Sequence, residues 1–177
     1  MSVEIILEGH ATTVDNERRI ATGWLDGELS ELGKRQAKEL GERQSNADVV
    51  FASDLGRAVE TADIAFAGTG IPVRFDARLR ECNYGELNGA SRDQVDAVRS
   101  DHVDEPFPDG ESYRQCVVRM RELLDELARD FDGKRVLLIG HGATFYALEH
   151  LMKGMPLEEL ISSGLRAWEP GRRYVLG

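Results

Sequence analysis

The chain reads as an α/β protein, a three-layer α/β/α sandwich built around a mostly parallel central sheet. Two apolar runs carry that reading. Ile5-Ile6-Leu7 leads to Glu8-Gly9-His10-Ala11, and Leu137-Leu138-Ile139 leads to Gly140-His141-Gly142. Runs of this length, bounded by glycine and followed by a helical pattern, are expected as strands covered on both faces, the habit of parallel sheets. Helical patterns alternate with such runs along the chain, which implies parallel connections. At 177 residues, with no linker and no low-complexity tract, residues 1–177 fit one domain with its own core.

The elements follow in order. After the first strand, Ser30 to Gln44 has leucines and alanine at helical spacing, with Ser30 as N-cap. Val49-Val50-Phe51-Ala52 is the next buried strand, Ser53-Asp54 caps a helix running through Phe66, and Gly68-Thr69-Gly70 stops it. Pro72 to Phe75 reads as a short edge strand. From Leu79 to Pro108 the chain is rich in Gly, Asn and Asp, with one helical patch at Arg92 to Ser100, and is expected to cross over the sheet without forming a domain. Gly110-Glu111-Ser112 opens a long amphipathic helix to about Phe131, whose inner face carries Val117, Met120, Leu123, Leu124 and Leu127. Asp132-Gly133 turns into the strand ending at Gly140. A helix from Gly142 to about Met152, a short helix at Leu157 to Ile161 and a last strand at Arg173 to Leu176 complete the chain.

Composition narrows the function. Hydrophobic residues at 41% and charged residues at 31% suit a soluble globular protein. No apolar run approaches the roughly 18 residues of a membrane span. The start Met1-Ser2-Val3-Glu4 runs straight into the first strand without a basic leader, so a cytoplasmic location is expected. A net charge of −10 argues against nucleic acid or an anionic membrane as partner. Cys82 and Cys116 show no metal-ligand spacing and are expected as free thiols. An acidic protein that binds an anion must gather its cations locally.

Three residues can do so, and a fourth can supply a proton beside them. In open α/β sheets, ligands sit at the carboxyl ends of the strands. His10 and His141 both stand there, although the chain holds only four histidines. Each is flanked by small residues that let a ligand approach the backbone and the amides of a helix N-terminus, Gly142 among them. Read singly, each is as readily a satisfied histidine at a strand end; read together they favour a site. Arg57 lies in the first turn of a helix, where a cation opposes the helix dipole. It either points to water or pairs with Asp54 or Glu60, or it grips a phosphate bidentately. Glu81, in Leu79-Arg80-Glu81-Cys82-Asn83-Tyr84-Gly85, is the best candidate acid/base, though Arg80 could equally neutralise it.

These stretches resemble the histidine phosphatase superfamily, the phosphoglycerate mutase-like enzymes. The family's opening Arg-His-Gly, then Glu-Thr and a nearby Asn, is matched by Gly9-His10-Ala11-Thr12-Thr13 and Asn16. Similar to it in order are Gly23 to Ala37, Ser53 to Ala62, Leu79 to Gly89, Pro108 to Ser112 and Gly140-His141-Gly142. The resemblance implies that His10 attacks phosphorus in line, Glu81 protonates the leaving alcohol and then activates water, and Arg57, His141 and Asn16 hold the phosphoryl oxygens. It implies no metal and no cofactor, and a small phosphorylated metabolite as partner.

One departure stands out. The family's arginine before the nucleophile is Gly9 here, and Glu8 nearby carries the opposite charge. Losing one such donor typically costs on the order of 10²–10³ in rate. Arg18 or Arg19 could supply a substitute; the plainer reading is two solvated loop arginines. The sequence therefore favours a phosphomonoester hydrolase, because the chain is short and the crossing segment leaves little material for a large lid. Mutase-type transfer and phosphate binding with weak or no turnover stay open. Arg92, Arg99 and His102 are available to meet an anionic substrate, or face solvent. A homodimer is neither required nor excluded.

Overall fold

A computed structural model describes all of residues 1–177. In chain order it comprises β1 (Val3–Gly9), α1 (Val14–Glu17), β2 (Ile20–Ala21), α2 (Glu31–Arg43), β3 (Val49–Ala52), α3 (Gly56–Phe66), β4 (Val73–Phe75), β5 (Ala90–Ser91), α4 (Arg92–Val98), α5 (Tyr113–Asp130), β6 (Arg135–Gly140), α6 (Gly142–Lys153), α7 (Leu157–Ser163) and β7 (Arg172–Leu176). The main sheet has the order β4-β3-β6-β1-β7. Its first four strands run parallel, and β7 pairs antiparallel with β1 at one edge.

Side chains alternate across a pleated strand, so one apolar run feeds two cores. Ile5, Leu7, Phe51, Val136 and Leu138 pack with the inner faces of α5, α6 and α7. Ile6, Val50, Ala52, Leu137 and Ile139 face the other way, onto Leu40 of α2 and Ala58, Ala62, Ala65 and Phe66 of α3. This is the expected three-layer sandwich.

The helix signals hold at α2, where Ser30 Oγ accepts from Gly33 N, and at α5, where Ser112 and Gln115 form a reciprocal capping box. At α3 the structure corrects the sequence reading. Leu55 is the N-cap and has no side-chain cap; Ser53 Oγ instead accepts from Leu55 N, and Asp54 is drawn away to Arg80. The crossing segment also contains a feature the sequence did not signal. The two-residue strands β2 and β5 pair antiparallel and bring α4 over the sheet's carboxyl edge.

Backbone approach fixes where α2 lies. A Cβ on Gly33 would stand 1.9 Å from the Thr12 carbonyl oxygen, so only glycine lets this helix press on the loop after His10. No helix is long and apolar enough to cross a membrane.

Candidate active site

The strand register builds the centre of the site. β1 and β6 are neighbours with Gly9 opposite Gly140, so the next residue on each strand, His10 and His141, emerges side by side. Their ring centroids are 5.0 Å apart. His10 N donates to Gly140 O at 3.1 Å, which ties the two strand ends together.

His10 Nδ1 lies 2.8 Å from its neighbour's carbonyl, Ala11 O. With the proton held there, Nε2 keeps its lone pair. Burial, reinforced by the Arg57 charge, pulls the His10 pKa down to about 4. His10 is therefore a neutral base at pH 7. His141 is 3% exposed, and neither ring nitrogen has a hydrogen-bond partner. Buried polar groups are almost always satisfied, so a doubly orphaned imidazole beside the His10 ring is one that a ligand would complete. Burial first, then Arg57 and His10, hold its pKa well below the ordinary histidine value.

Arg57, on the first turn of α3, is 3% exposed. It pairs with neither Asp54 nor Glu60. Its guanidinium donates to Leu25 O at 3.0 Å and to Gly23 O at 2.8 Å, which holds it against the loop before α2. Three of its five N–H donors are left over. Thr61 Oγ1 donates to Arg57 O and accepts from Ala11 N, coupling α3 to the loop after His10.

Glu81 is fixed from two sides. Its Oε1 accepts from Cys82 N at 2.8 Å and from Ala143 N, in the first turn of α6, at 3.1 Å. Its backbone oxygen accepts from Trp24 Nε1 at 2.7 Å and from Arg119 at 3.0 Å. Arg80 does not neutralise it: that guanidinium is bidentate to Asp54 and stacked 4.7 Å from the Trp24 ring centroid. Asn16 sits in the capping box of α1; its Oδ1 accepts from Thr13 N, which leaves its NH₂ for the cavity.

His10, Asn16, Arg57, Glu81, Tyr84 and Gly142 line one cavity of about 140 Å³. It continues, past Glu81 and Gly142, into a second of about 210 Å³ walled by Arg92, Arg99, Tyr113 and Tyr146. Two cations named from the sequence, Arg92 and Arg99, thus wall this second cavity, Arg99 donating to Tyr146 Oη at 3.3 Å and pairing with Asp96 at 3.5 Å. His102 does not join them. It stacks on Phe107, with Nδ1 3.0 Å from Glu105 O. Arg18 is exposed, and Arg19 is exposed and paired with Asp93, so neither replaces the side chain absent at Gly9.

Arg119 gave no signal in the sequence because three of its partners are backbone carbonyls. It gathers Arg78 O, Arg80 O and Glu81 O and pairs with Glu111, thereby shaping the turn that presents Glu81. Cys82 and Cys116 are free and buried. Contact with Cys116, and burial, push the Cys82 thiol far up.

Residues 5–167 match the family model described as Histidine phosphatase superfamily (branch 1). A 2,3-bisphosphoglycerate-dependent phosphoglycerate mutase of Nitrobacter winogradskyi is 30% identical, over 94% of this chain and 88% of the relative. A probable phosphoglycerate mutase GpmB of Erwinia tasmaniensis is 34% identical, over 87% and 76%. Among solved structures, a mycobacterial glucosyl-3-phosphoglycerate phosphatase complexed with VO3 superposes with a TM-score of 0.79. It shares 30% identity, over 90% of this chain and 86% of that one.

Proposed function

The chain belongs to the histidine phosphatase superfamily, and from that premise we propose that it hydrolyses a small phosphomonoester through a phosphohistidine on His10, without a metal. The single observation that carries this is the pairing of His10 with His141. One ring is neutral with a nitrogen to spare, and the other is buried with both nitrogens unmet.

The geometry fits each step. The His10 Nε2 lone pair attacks phosphorus, and the P–O bond to the alcohol breaks. Negative charge on the equatorial oxygens meets Arg57, the NH₂ of Asn16 and the unmet His141. Preplaced donors of this kind are the main source of acceleration in phosphoryl transfer. Glu81, held beside Gly142, gives its proton to the departing alkoxide and takes one from the water that then attacks the phosphohistidine, breaking the P–N bond so that phosphate leaves and His10 Nε2 regains its lone pair.

Arg92 and Arg99 beyond Glu81 suit an alcohol that bears a further anionic group. The mycobacterial relative's name, a phosphatase of glucosyl-3-phosphoglycerate, agrees with such a substrate. Mutase-type transfer is the second reading, favoured by the names of the curated relatives. Against it, the cover over the cavity is short, β5 and α4 with Leu165 from the segment after α7, and His10 keeps partial exposure to solvent.

The test is turnover of p-nitrophenyl phosphate and of phosphoglycerates with a chelator present, comparing wild type with His10→Ala. Phosphate release that persists without His10 overturns the nucleophile assignment. Interconversion of phosphoglycerates without phosphate release favours the mutase. Phosphate binding without turnover favours a binding protein.

A further inference from the structure

A third cavity abuts the nucleophile, on the flank where position 9 has no side chain. It is about 460 Å³, and its wall includes Glu8, Gly9, His10, Glu39, Arg43 and Trp168. A Cβ built on Gly9 would lie 3.2 Å from Trp168 Cζ2, so the absent side chain points toward the indole.

The chemistry of that wall is one-sided. Glu8 is 2% exposed, and its two contacts, Arg43 at 3.2 Å and Gln44 at 2.9 Å, both fall on Oε1. Oε2 has no protein partner. Arg43 is the wall's one permanent cation and is already paired with Glu8; Glu39, on the exposed face of α2, adds a second carboxylate. Two carboxylates against one guanidinium, beside an indole, favour a cation, which gains from both ion pairing and the aromatic face. Across His10, the catalytic cavity has the opposite need. Both imidazoles there are held neutral, and Arg57 is the buried permanent cation that would face a dianionic phosphate.

We propose that the cavity beside Gly9 is a binding site for a small organic cation, guanidinium or ammonium, which supplies the positive charge that an arginine at position 9 would have carried. The cation arrives either free or as part of the substrate. The inference rests on His10 as the phosphoryl-bearing residue, and the experiment separates the two.

Inorganic phosphate binding is measured by calorimetry with millimolar guanidinium chloride or with sodium chloride at equal ionic strength. The same pair of salts is used in p-nitrophenyl phosphate turnover. A third arm compares O-phosphoethanolamine with ethyl phosphate. Wild type is compared with Gly9→Arg, which fills the cavity with a tethered guanidinium, and with Glu39→Gln/Trp168→Leu, which removes a carboxylate and the indole.

The expected result is a saturable gain of about tenfold or more in phosphate affinity or rate with guanidinium. The gain is lost in Gly9→Arg and weakened in the double variant. Preference for the amino ester marks a substrate-borne cation; a response to guanidinium alone marks a free one. A wild type indifferent to cation in all three arms, or a gain undiminished in Gly9→Arg, overturns the proposal. Guanidinium-enhanced phosphate binding without turnover keeps the cation site and removes the hydrolase reading; turnover without cation dependence does the reverse.

Discussion

Replacing Arg57 by lysine keeps the charge and changes the number of donors, which separates two roles of this side chain. In the wild type two N–H groups are spent on Gly23 O and Leu25 O, and three remain for a phosphoryl group. Lysine offers three donors in all, so holding both carbonyls leaves one. Removing a preplaced donor to a developing oxyanion costs about 2.7–4 kcal/mol, or 10²–10³ in rate. Arg57→Lys should therefore lower kcat about 10²-fold and weaken competitive inhibition by inorganic phosphate. Arg57→Met removes the charge and strands two carbonyls, at roughly 1–3 kcal/mol for each unsatisfied group. For a chain of this size each kcal/mol is about 2–4 °C in Tm, so a fall of several degrees is expected. Steady-state kinetics with a phosphomonoester, phosphate inhibition and thermal melts of the three proteins make the assay. Arg57→Lys with kcat within about threefold of wild type, at unchanged Tm, would refute the assignment of the spare donors to phosphate.

Further expectations follow from the same geometry. His10 takes up its proton near pH 4 when folded and near 6.5 when unfolded, so the unfolded chain binds more protons between those values. Stability is then complete above pH 6.5 and falls toward pH 4 by up to about 1.4 kcal/mol per pH unit, with His141 acting in the same direction. Urea midpoints at pH 7 and pH 4.5 should differ more for wild type than for His10→Asn. Glu81→Gln should slow alkyl phosphomonoesters roughly 10²–10⁴-fold, and p-nitrophenyl phosphate far less, because that leaving group departs without a proton; equal losses on both would contradict the acid role. Gly33→Ala should destabilise by about 1–3 kcal/mol in chemical denaturation, since its methyl would enter the Thr12 carbonyl.

Much of this molecule was legible as sequence because its central strands are buried on both faces. Continuous apolar runs marked β1, β3 and β6, and a neighbouring register of β1 and β6 was all that His10 and His141 needed to meet. Serine caps at Ser30 and Ser112 were equally readable, because capping is local. What escaped depends on distant partners. Ser53-Asp54 has the composition of a cap, yet Asp54 answers to Arg80, 26 residues away. The β2–β5 pair is two residues long on each side and has no periodicity to detect. Arg119 serves backbone oxygens, which no side-chain motif announces. His102, read as facing solvent or available to substrate, stacks on an aromatic neighbour instead.

The carbonyl of Glu81 is held jointly by an indole from residue 24 and a guanidinium from residue 119. Three stretches of chain separated by dozens of residues must all have docked before that carboxylate takes its working position. His10 and His141 need only the β1–β6 pairing. The β1–β6 pairing itself joins stretches 131 residues apart, so the histidine pair and the proton donor both wait on long-range closures, and recovery of turnover on poor leaving groups becomes a clock for the last of them.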